Sequence, residues 1–205
     1  MTPAAQPAFD ATYWQQRYDA ARTNWDTGAI TPPLQAYFDQ LDVARQPRIL
    51  IPGAGRAYEA EYLHHAGFKR VVVADIAPAA LAAVAQRAPG FPAENLLLQD
   101  FFTLEPTPEP FDLIVEQTFF CALHPSLRPA YARQCAHLLR VGGTLMGLLF
   151  DTDFGLVQEP PFGGSRQEYR TYFEPYFKFK HFDTATNSIA PRAGRELFIC
   201  LKKKA

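Results

Sequence analysis

The stretch Arg48-Ile-Leu-Ile-Pro-Gly-Ala-Gly55 and the stretch Val71-Val-Val-Ala-Asp75 together predict the fold of this chain. The first begins as a short buried strand and ends in two glycines, Gly53 and Gly55, which let the backbone turn sharply and approach a ligand closely. A helix over residues 56–66 leads to the second strand, which ends at Asp75. A carboxylate at this distance from the glycines can accept hydrogen bonds from both ribose hydroxyls. The unit predicts a nucleoside-binding site, although the glycines alone are also compatible with a turn that binds nothing.

The kind of nucleoside is indicated by what the turn lacks. A dinucleotide site needs a third glycine three residues on, and that position is Tyr58. No Gly-Lys-Ser or Gly-Lys-Thr follows, so the phosphate loop of nucleotide triphosphatases is excluded. A phosphate-free nucleoside remains, and S-adenosylmethionine is the common one. Asp100 closes the next predicted strand and Phe101 follows it, an arrangement that suits an adenine amino group beside an apolar neighbour. Asp100 could instead cap a short turn.

Strand and helix patterns alternate along most of the chain. The strands are expected near residues 48–52, 70–75, 95–99, 111–115 and 144–150, and the helices near 56–66, 78–88 and 127–139. Two β-rich runs without a helix between them, 176–182 and 196–201, end the chain as an antiparallel pair. We therefore predict an α/β fold with a doubly wound, Rossmann-like, seven-stranded and mostly parallel sheet that carries an antiparallel edge hairpin. Residues 1–205 form one domain, in which 1–10 are loose and 11–45 form a helical lid.

Composition limits the partners. The chain has 205 residues with 20 basic and 21 acidic side chains, a net charge of -1, so no broad cationic surface is available for nucleic acid. Its three cysteines lack the spacing of a metal knuckle or redox pair, which favours a reducing, cytoplasmic compartment. The longest apolar run, 145–150, is too short to cross a bilayer. We expect a monomer without a membrane partner, a signal peptide or a metal.

Three large rings precede the sheet: Trp14, Tyr18 and Trp25. Trp14 and Tyr18 are four residues apart and therefore share one helix face. A helix that carries these rings over the crevice would close it, and aromatic faces attract a sulfonium cation by roughly 0.5–2 kcal/mol each. The alternative, that the stripe packs on the core, is equally open.

With these residues, the sequence resembles the thiopurine S-methyltransferase superfamily, and within it the branch of plant and microbial thiol, thiocyanate and halide methyltransferases. The resemblance covers nearly the full length and rests on Trp14, Tyr18, Thr23-x-Trp25-Asp26-x-Gly28, Ile51-Pro-Gly-Ala-Gly55, Asp75-Ile76, Asp100-Phe-Phe102, Phe111-Asp-Leu-Ile114, Phe119-Phe-Cys-Ala122, Arg128-Pro129 and Pro160-Pro161-Phe162. It implies a class I S-adenosylmethionine-dependent methyltransferase. The predicted cofactor-binding residues are Trp14, Tyr18, Trp25, Gly53, Gly55, Asp75, Ile76, Asp100, Phe101 and Glu116. Tyr18, Glu116-Gln117 and the long segment 151–158 depart from the family pattern.

The resemblance implies methyl transfer to a small soft nucleophile such as a thiol, hydrosulfide, thiocyanate, a halide or a thiopurine, with S-adenosyl-L-homocysteine as the product. Since a thiol ionises near pH 8.5, no catalytic base is predicted. The candidate acceptor-binding residues are Phe119, Phe120, Phe162, Tyr169, Arg166 and Arg170, with Arg192 as a further candidate. His124 could assist deprotonation. Small-molecule O- or N-methylation, a non-catalytic cofactor-binding protein and an NAD-dependent enzyme remain alternatives.

Overall fold

The sheet is seen in a computed structural model that describes residues 9–155 and 157–205. Its strands are β1 (Ile49–Pro52), β2 (Val71–Asp75), β3 (Leu96–Leu98), β4 (Phe111–Gln117), β5 (Leu139–Phe150), β6 (Phe177–Thr184) and β7 (Glu196–Lys203). They form one seven-stranded sheet in the order β3-β2-β1-β4-β5-β7-β6. The pairs from β3 to β5 are parallel, and β7 pairs antiparallel with both β5 and β6. The predicted mostly parallel sheet with its antiparallel edge hairpin is confirmed.

Helices cover both faces of the sheet, as the alternating pattern predicts. They are α1 (Ala11–Asp19), α2 (Pro32–Phe38), α3 (Tyr58–His65), α4 (Pro78–Arg87), α5 (Arg128–Leu138) and α6 (Arg166–Phe173). One core lies between the sheet and helices α5 and α6, and a second lies between the sheet and helices α2, α3 and α4. Both cores consist mainly of buried aliphatic and aromatic side chains, whose removal from water is the main stabilising contribution.

Several boundaries differ from the predicted ones, among them those of α1, α3 and β5. Helical spacing in the sequence extends from Ala11 to Arg22, but helix α1 ends at Asp19, since Ala21 has a φ of 53°, which lies outside the helical region. Helix α3 starts at Tyr58 rather than at residue 56, because Ala57 also has a positive φ, 51°. Strand β5 begins at Leu139 rather than near residue 144, and it runs through the two glycines at 142–143.

Helix α6 is absent from the sequence prediction, yet its start carries a clear signal. Ser165 caps it by accepting a hydrogen bond from the backbone N–H of Glu168, which is the first half of a capping box. Asp10 caps α1 in the same way, and its carboxylate accepts from the N–H of Tyr13 at 2.9 Å. Of the segment predicted to be loose, residues 1–8 lie outside the described residues. Across 9–155 and 157–205, no helix has the length and apolar character needed to cross a bilayer.

The connectivity of the sheet sets the position of the site. From β1 the chain continues to β2 on one side, and β4 later adds to the other side of β1. The loops after β1 and β4 therefore diverge at their carboxyl ends, which leaves a crevice there.

Candidate active site

A cavity of ≈ 650 Å³ lies at this crevice. It brings together ten of the predicted site residues, from six separate segments of the chain: Trp14, Tyr18, Trp25, Gly53, Gly55, Asp75, Ile76, Asp100, Phe101 and Phe119. A neighbouring open cavity of ≈ 530 Å³ is lined by Asp151, Phe162 and Glu168 among others, and His124 borders both. The glycine turn and the acid after β2 face the first of these cavities.

The two glycines of the turn are required by the rings above them. Gly53 has a φ of +53°, and a Cβ there would lie 2.1 Å from a ring carbon of Phe119. Gly55 has a φ of +57°, and a Cβ there would lie 3.2 Å from Nε1 of Trp25. Glycine adopts both conformations without strain, and at Gly53 the ring of Phe119 leaves no room for a Cβ.

Asp75 is held at the cavity by the backbone of the turn. Its Oδ2 accepts from the N–H of Gly55 at 3.2 Å and its Oδ1 from the N–H of Ala77 at 2.8 Å. Burial raises the pKa of this carboxyl, and the hydrogen bonds from Ala77 and Gly55 act against that rise. A carboxylate has about four lone-pair sites, so capacity remains to accept a hydrogen bond from a ligand.

Asp100 is exposed at the cavity and makes the cap that the sequence leaves open as an alternative. Its Oδ1 accepts from the N–H of Phe102 at 2.9 Å, which starts a short 3₁₀ turn over residues 101–103. Phe101 on this turn is buried, and its ring packs 5.5 Å from that of Phe119. A cap uses one carboxylate oxygen, and the other stays available at the cavity.

The rings of Trp14, Tyr18 and Trp25 cover the cavity and are not part of the core; we call these three residues the roof. Trp25 packs edge-on against Trp14 at 5.5 Å and against Tyr18 at 5.6 Å, and all three line the cavity. No residue of α1 is buried. Asp26 fixes the roof, because its Oδ1 accepts from the Tyr58 hydroxyl at 2.9 Å and its Oδ2 pairs with Arg56 at 3.2 Å. Tyr58, which replaces the third glycine, thus ties α3 to the roof.

Glu116 does not line the cavity, which corrects its predicted place as a cofactor contact. It is fully buried on the other side of the turn that follows β4. Its Oε1 accepts from the N–H groups of Phe119 and Phe120, both at 2.8 Å. Its Oε2 accepts from the hydroxyl of Tyr131 at 2.6 Å, and burial raises its pKa to about 7. The carboxyl therefore positions the turn instead of meeting a ligand.

Five of the predicted acceptor residues also lie away from the cavity: Phe120, Phe162, Tyr169, Arg166 and Arg170. Phe120 and Tyr169 pack on each other at 5.1 Å in the core, and Tyr169 donates to the carbonyl of Phe150. Arg166 pairs with Asp151 at 2.9 Å, and Arg170 stacks over Phe179 at 4.5 Å. Phe162 borders only the neighbouring cavity. Their predicted role as pocket walls does not fit these positions. Helix α6 turns Tyr169 into the core and its two arginines outward, and Phe120 packs in the same core.

A different set of residues lines this side of the cavity. We call it the arginine wall, and it consists of Phe150, Phe154, Pro160, Pro161, Pro191, Arg192 and Arg195. Arg192, a candidate from the sequence, is buried and donates to the carbonyl of Trp25 at 3.0 Å. It also pairs with Glu196 at 3.3 Å. Arg195, and Arg17 on α1, line the cavity without having been predicted. Arg17 had a usable signal, since it lies one turn from Trp14 in α1; Phe154 and Arg195 lie in segments without periodicity.

Two further groups with possible chemistry border the cavity. Nδ1 of His124 lies 2.8 Å from Oγ of Ser126 and accepts from the N–H of the same serine at 3.3 Å. The Cys121 thiol donates to the carbonyl of Thr118, and burial raises its pKa to about 12, so it stays a thiol at neutral pH. Within the described part of the chain, no group of three His, Cys, Asp or Glu side chains is placed to hold a metal ion.

The fold is that of the class I S-adenosylmethionine-dependent methyltransferases. A 1,6-didemethyltoxoflavin-N1-methyltransferase from Burkholderia thailandensis, solved with 1,6-didemethyltoxoflavin and S-adenosylhomocysteine, superposes with a TM-score of 0.70 at 19% identity over 95% of this chain and 87% of that one. Magnesium protoporphyrin IX methyltransferase from Synechocystis, solved with bound S-adenosylmethionine, gives 0.67 at 15% identity over 99% of this chain and 100% of that one. At these identities the likeness establishes the fold.

The sequence comparisons establish the family. The sequence model of the thiopurine S-methyltransferase family matches residues 9–202. A probable thiol methyltransferase 2 from Arabidopsis thaliana is 34% identical over 89% of this chain and 81% of its own length. A thiocyanate methyltransferase 1 from Brassica oleracea is 32% identical over the same shares, 89% and 81%. The chain belongs to the thiopurine S-methyltransferase family and is an S-adenosylmethionine-dependent methyltransferase, as its sequence predicts.

The residues of the cavity fit this cofactor. Asp75 offers unused acceptor sites for hydroxyls, the glycine turn leaves room where a Cβ would intrude, and a roof of three rings suits a cation.

Proposed function

We propose that this methyltransferase acts on the sulfur of a small thiol or on an equally soft small nucleophile: hydrosulfide, thiocyanate, a halide or a thiopurine. The observation that carries the proposal is the arginine wall, which presents rings, prolines and guanidinium groups to the cavity and contains no carboxylate. Such a wall attracts an anion through its guanidinium groups, and its apolar side chains exclude water from around the anion. Relatives named as thiol, thiocyanate and thiopurine methyltransferases support the same acceptor class.

The cofactor, when bound, supplies an activated methyl carbon. The residues of this chain then orient and desolvate rather than exchange protons. Asp75 accepts hydrogen bonds from ribose hydroxyls, and the rings of Trp14 and Trp25 face the cation and exclude water. The arginine wall draws the anionic form of the acceptor into the cavity. A thiol with a pKa near 8.5 is partly thiolate at pH 7.5, so alignment and desolvation are sufficient and no general base is needed.

Methylation of oxygen or nitrogen is the enzymatic rival. It needs a base at the cavity, and His124 is the one candidate imidazole there among residues 9–155 and 157–205. The test is a panel of acceptors with the purified protein and S-adenosylmethionine, in which S-adenosylhomocysteine and the methylated product are both quantified by mass spectrometry. We expect turnover of hydrosulfide, iodide, thiocyanate, small thiols or a thiopurine. Turnover confined to phenols and amines, and abolished by His124→Gln, would favour the rival.

We further propose a cytoplasmic monomer that binds neither nucleic acid nor membranes. The near-neutral net charge of -1 and three cysteines outside any disulfide support this. Light scattering coupled to gel filtration measures the oligomeric state.

A further inference from the structure

The three arginines that line the cavity differ in their partners. Arg17 pairs with Glu159, and the buried Arg192 pairs with Glu196. Arg195 makes no ion pair with any carboxylate of residues 9–155 or 157–205. The positive charges of Arg17 and Arg192 are therefore balanced inside the protein, and that of Arg195 is not.

The position of Arg195 is fixed although its side chain is exposed. Its carbonyl accepts from the N–H of Asp151 at 2.8 Å and from the hydroxyl of Thr152 at 3.2 Å, which ties the start of β7 to the end of β5. Its guanidinium lies 5.3 Å from the centre of the Phe154 ring. Backbone anchoring and stacking both reduce the freedom that the side chain loses when it binds a ligand.

The two arginines of the arginine wall lie at opposite ends of a pair of aromatic rings. Arg192 lies 5.5 Å from the ring of Phe150, that ring packs edge-on at 5.2 Å against Phe154, and Phe154 in turn carries Arg195. The balanced guanidinium is buried and the unbalanced one is exposed, at the solvent side of the wall. A hydrophobic surface of two rings lies between them.

This order of groups matches a molecule with two unlike ends. A thiolate at the inner end would meet the methyl donor, a short apolar linker would lie on the rings, and an anionic group at the outer end would meet Arg195. A guanidinium fork pairs with a carboxylate through two parallel N–H···O bonds. We infer that Arg195 is an anion subsite that selects thiols carrying a carboxylate over thiols with an uncharged tail.

The inference rests on the proposed thiol methylation, and a matched pair of acceptors tests it. 3-Mercaptopropionate and 1-propanethiol have the same chain length and differ in the carboxylate. The measured quantity is the ratio of kcat/KM for the acid to kcat/KM for the alkanethiol. In Arg195→Ala this ratio falls about tenfold relative to wild type, the size expected for one charge-assisted pair. Arg195→Lys, which keeps the charge but loses the fork, gives an intermediate ratio.

The control is Arg133→Ala, which removes an exposed arginine of α5 that does not border the cavity. It lowers the net charge equally and leaves the ratio at the wild-type value. A drop of the same size in Arg133→Ala, or an unchanged ratio in Arg195→Ala, overturns the inference, because general electrostatic attraction or no attraction at all would then explain the data.

A binding measurement decides the question without turnover. The protein is saturated with S-adenosylhomocysteine, and 3-mercaptopropionate is titrated in calorimetrically at low and high salt. We expect affinity that falls about tenfold in Arg195→Ala and that weakens with salt in the wild type only. Equal affinities in the two proteins contradict the subsite. If the acceptor panel shows no thiol turnover, the proposed function fails, and this titration still reports on Arg195 by itself.

Discussion

The hydroxyl of Tyr131 on α5 donates a 2.6 Å hydrogen bond to the buried carboxyl of Glu116, whose other oxygen receives the N–H groups of Phe119 and Phe120. Three donors thus hold one side chain. The turn that they fix carries Phe119 to the cavity and includes Thr118 in a left-handed conformation, with a φ of 60°. The shape of the cavity next to Gly53 therefore depends on a group that does not line the cavity.

The Glu116 carboxyl makes stability depend on pH. Burial raises its pKa to about 7, whereas an unfolded glutamic acid ionises near 4.3. The folded protein takes up a proton between these values, so this contribution to stability is complete below about pH 4 and is lost as the pH rises to about 7. Glu116→Gln cannot ionise, so its free energy of unfolding rises relative to wild type from pH 5 to pH 8, by on the order of 2 kcal/mol. Urea titrations across that range measure it.

Glu59 would add its own pH dependence to this experiment, because burial also raises its pKa to about 7. The control therefore removes the titration of Glu59. The double variant Glu59→Gln/Glu116→Gln is compared with Glu59→Gln. Parallel pH profiles for these two proteins would show that Glu116 does not titrate as described.

Asp75 is expected to dominate cofactor affinity. Asp75→Asn replaces an oxygen that accepts from Gly55 or Ala77 by an amide N–H that repels the same donors, and it removes a charged acceptor for ribose hydroxyls. Affinity for S-adenosylhomocysteine falls by about 10- to 100-fold, the range for hydrogen bonds to a charged group. Calorimetric titration gives the value. Asp112→Asn, which alters an ion pair with Arg140 at the opposite ends of the strands, leaves the affinity unchanged.

The position of the glycine turn and Asp75 at the cavity follows from local sequence, and the position of the arginine wall does not. Gly53 and Asp75 are placed by the strand–turn–helix unit that contains them, so their spacing is enough to locate them at one crevice. Side chains along β4 alternate between the two faces of the sheet. The side chain of Glu116 points to the face that α5 covers and not to the cavity. For Tyr169 and Arg195 the location depends on how α6 and the β6–β7 connection pack, which is a long-range property with no periodic signal.

Gly53 is expected to be intolerant of a methyl group. In Gly53→Ala the new Cβ meets the Phe119 ring at 2.1 Å and the residue keeps a φ of +53°. Overpacking and the left-handed conformation together cost about 2–4 kcal/mol, and the displaced ring weakens cofactor binding. Gly155→Ala is the matched control, since that residue has a φ of +75° with nothing within 4 Å of the new atom. It loses only about 1–2 kcal/mol, the cost of the left-handed conformation alone. Equal melting temperatures for the two variants would contradict the clash.

The Tyr58–Asp26 hydrogen bond is expected to act on the cofactor through the roof. Tyr58→Phe removes the 2.9 Å bond that holds Asp26, and with it the neighbouring Trp25, to the start of α3. One such hydrogen bond contributes about 0.5–1.5 kcal/mol to holding the roof in place. Its loss raises the dissociation constant for S-adenosylhomocysteine by about 2- to 10-fold. Tyr62→Phe removes a hydroxyl from the same helix, but that hydroxyl bonds to Asp39 away from the cavity. Tryptophan fluorescence titrations compare the two. Because Trp25 belongs to the roof, Tyr58→Phe also shifts the fluorescence emission of Trp25 in the free protein. Equal dissociation constants and an unshifted emission would mean that the roof is held by its ring contacts alone.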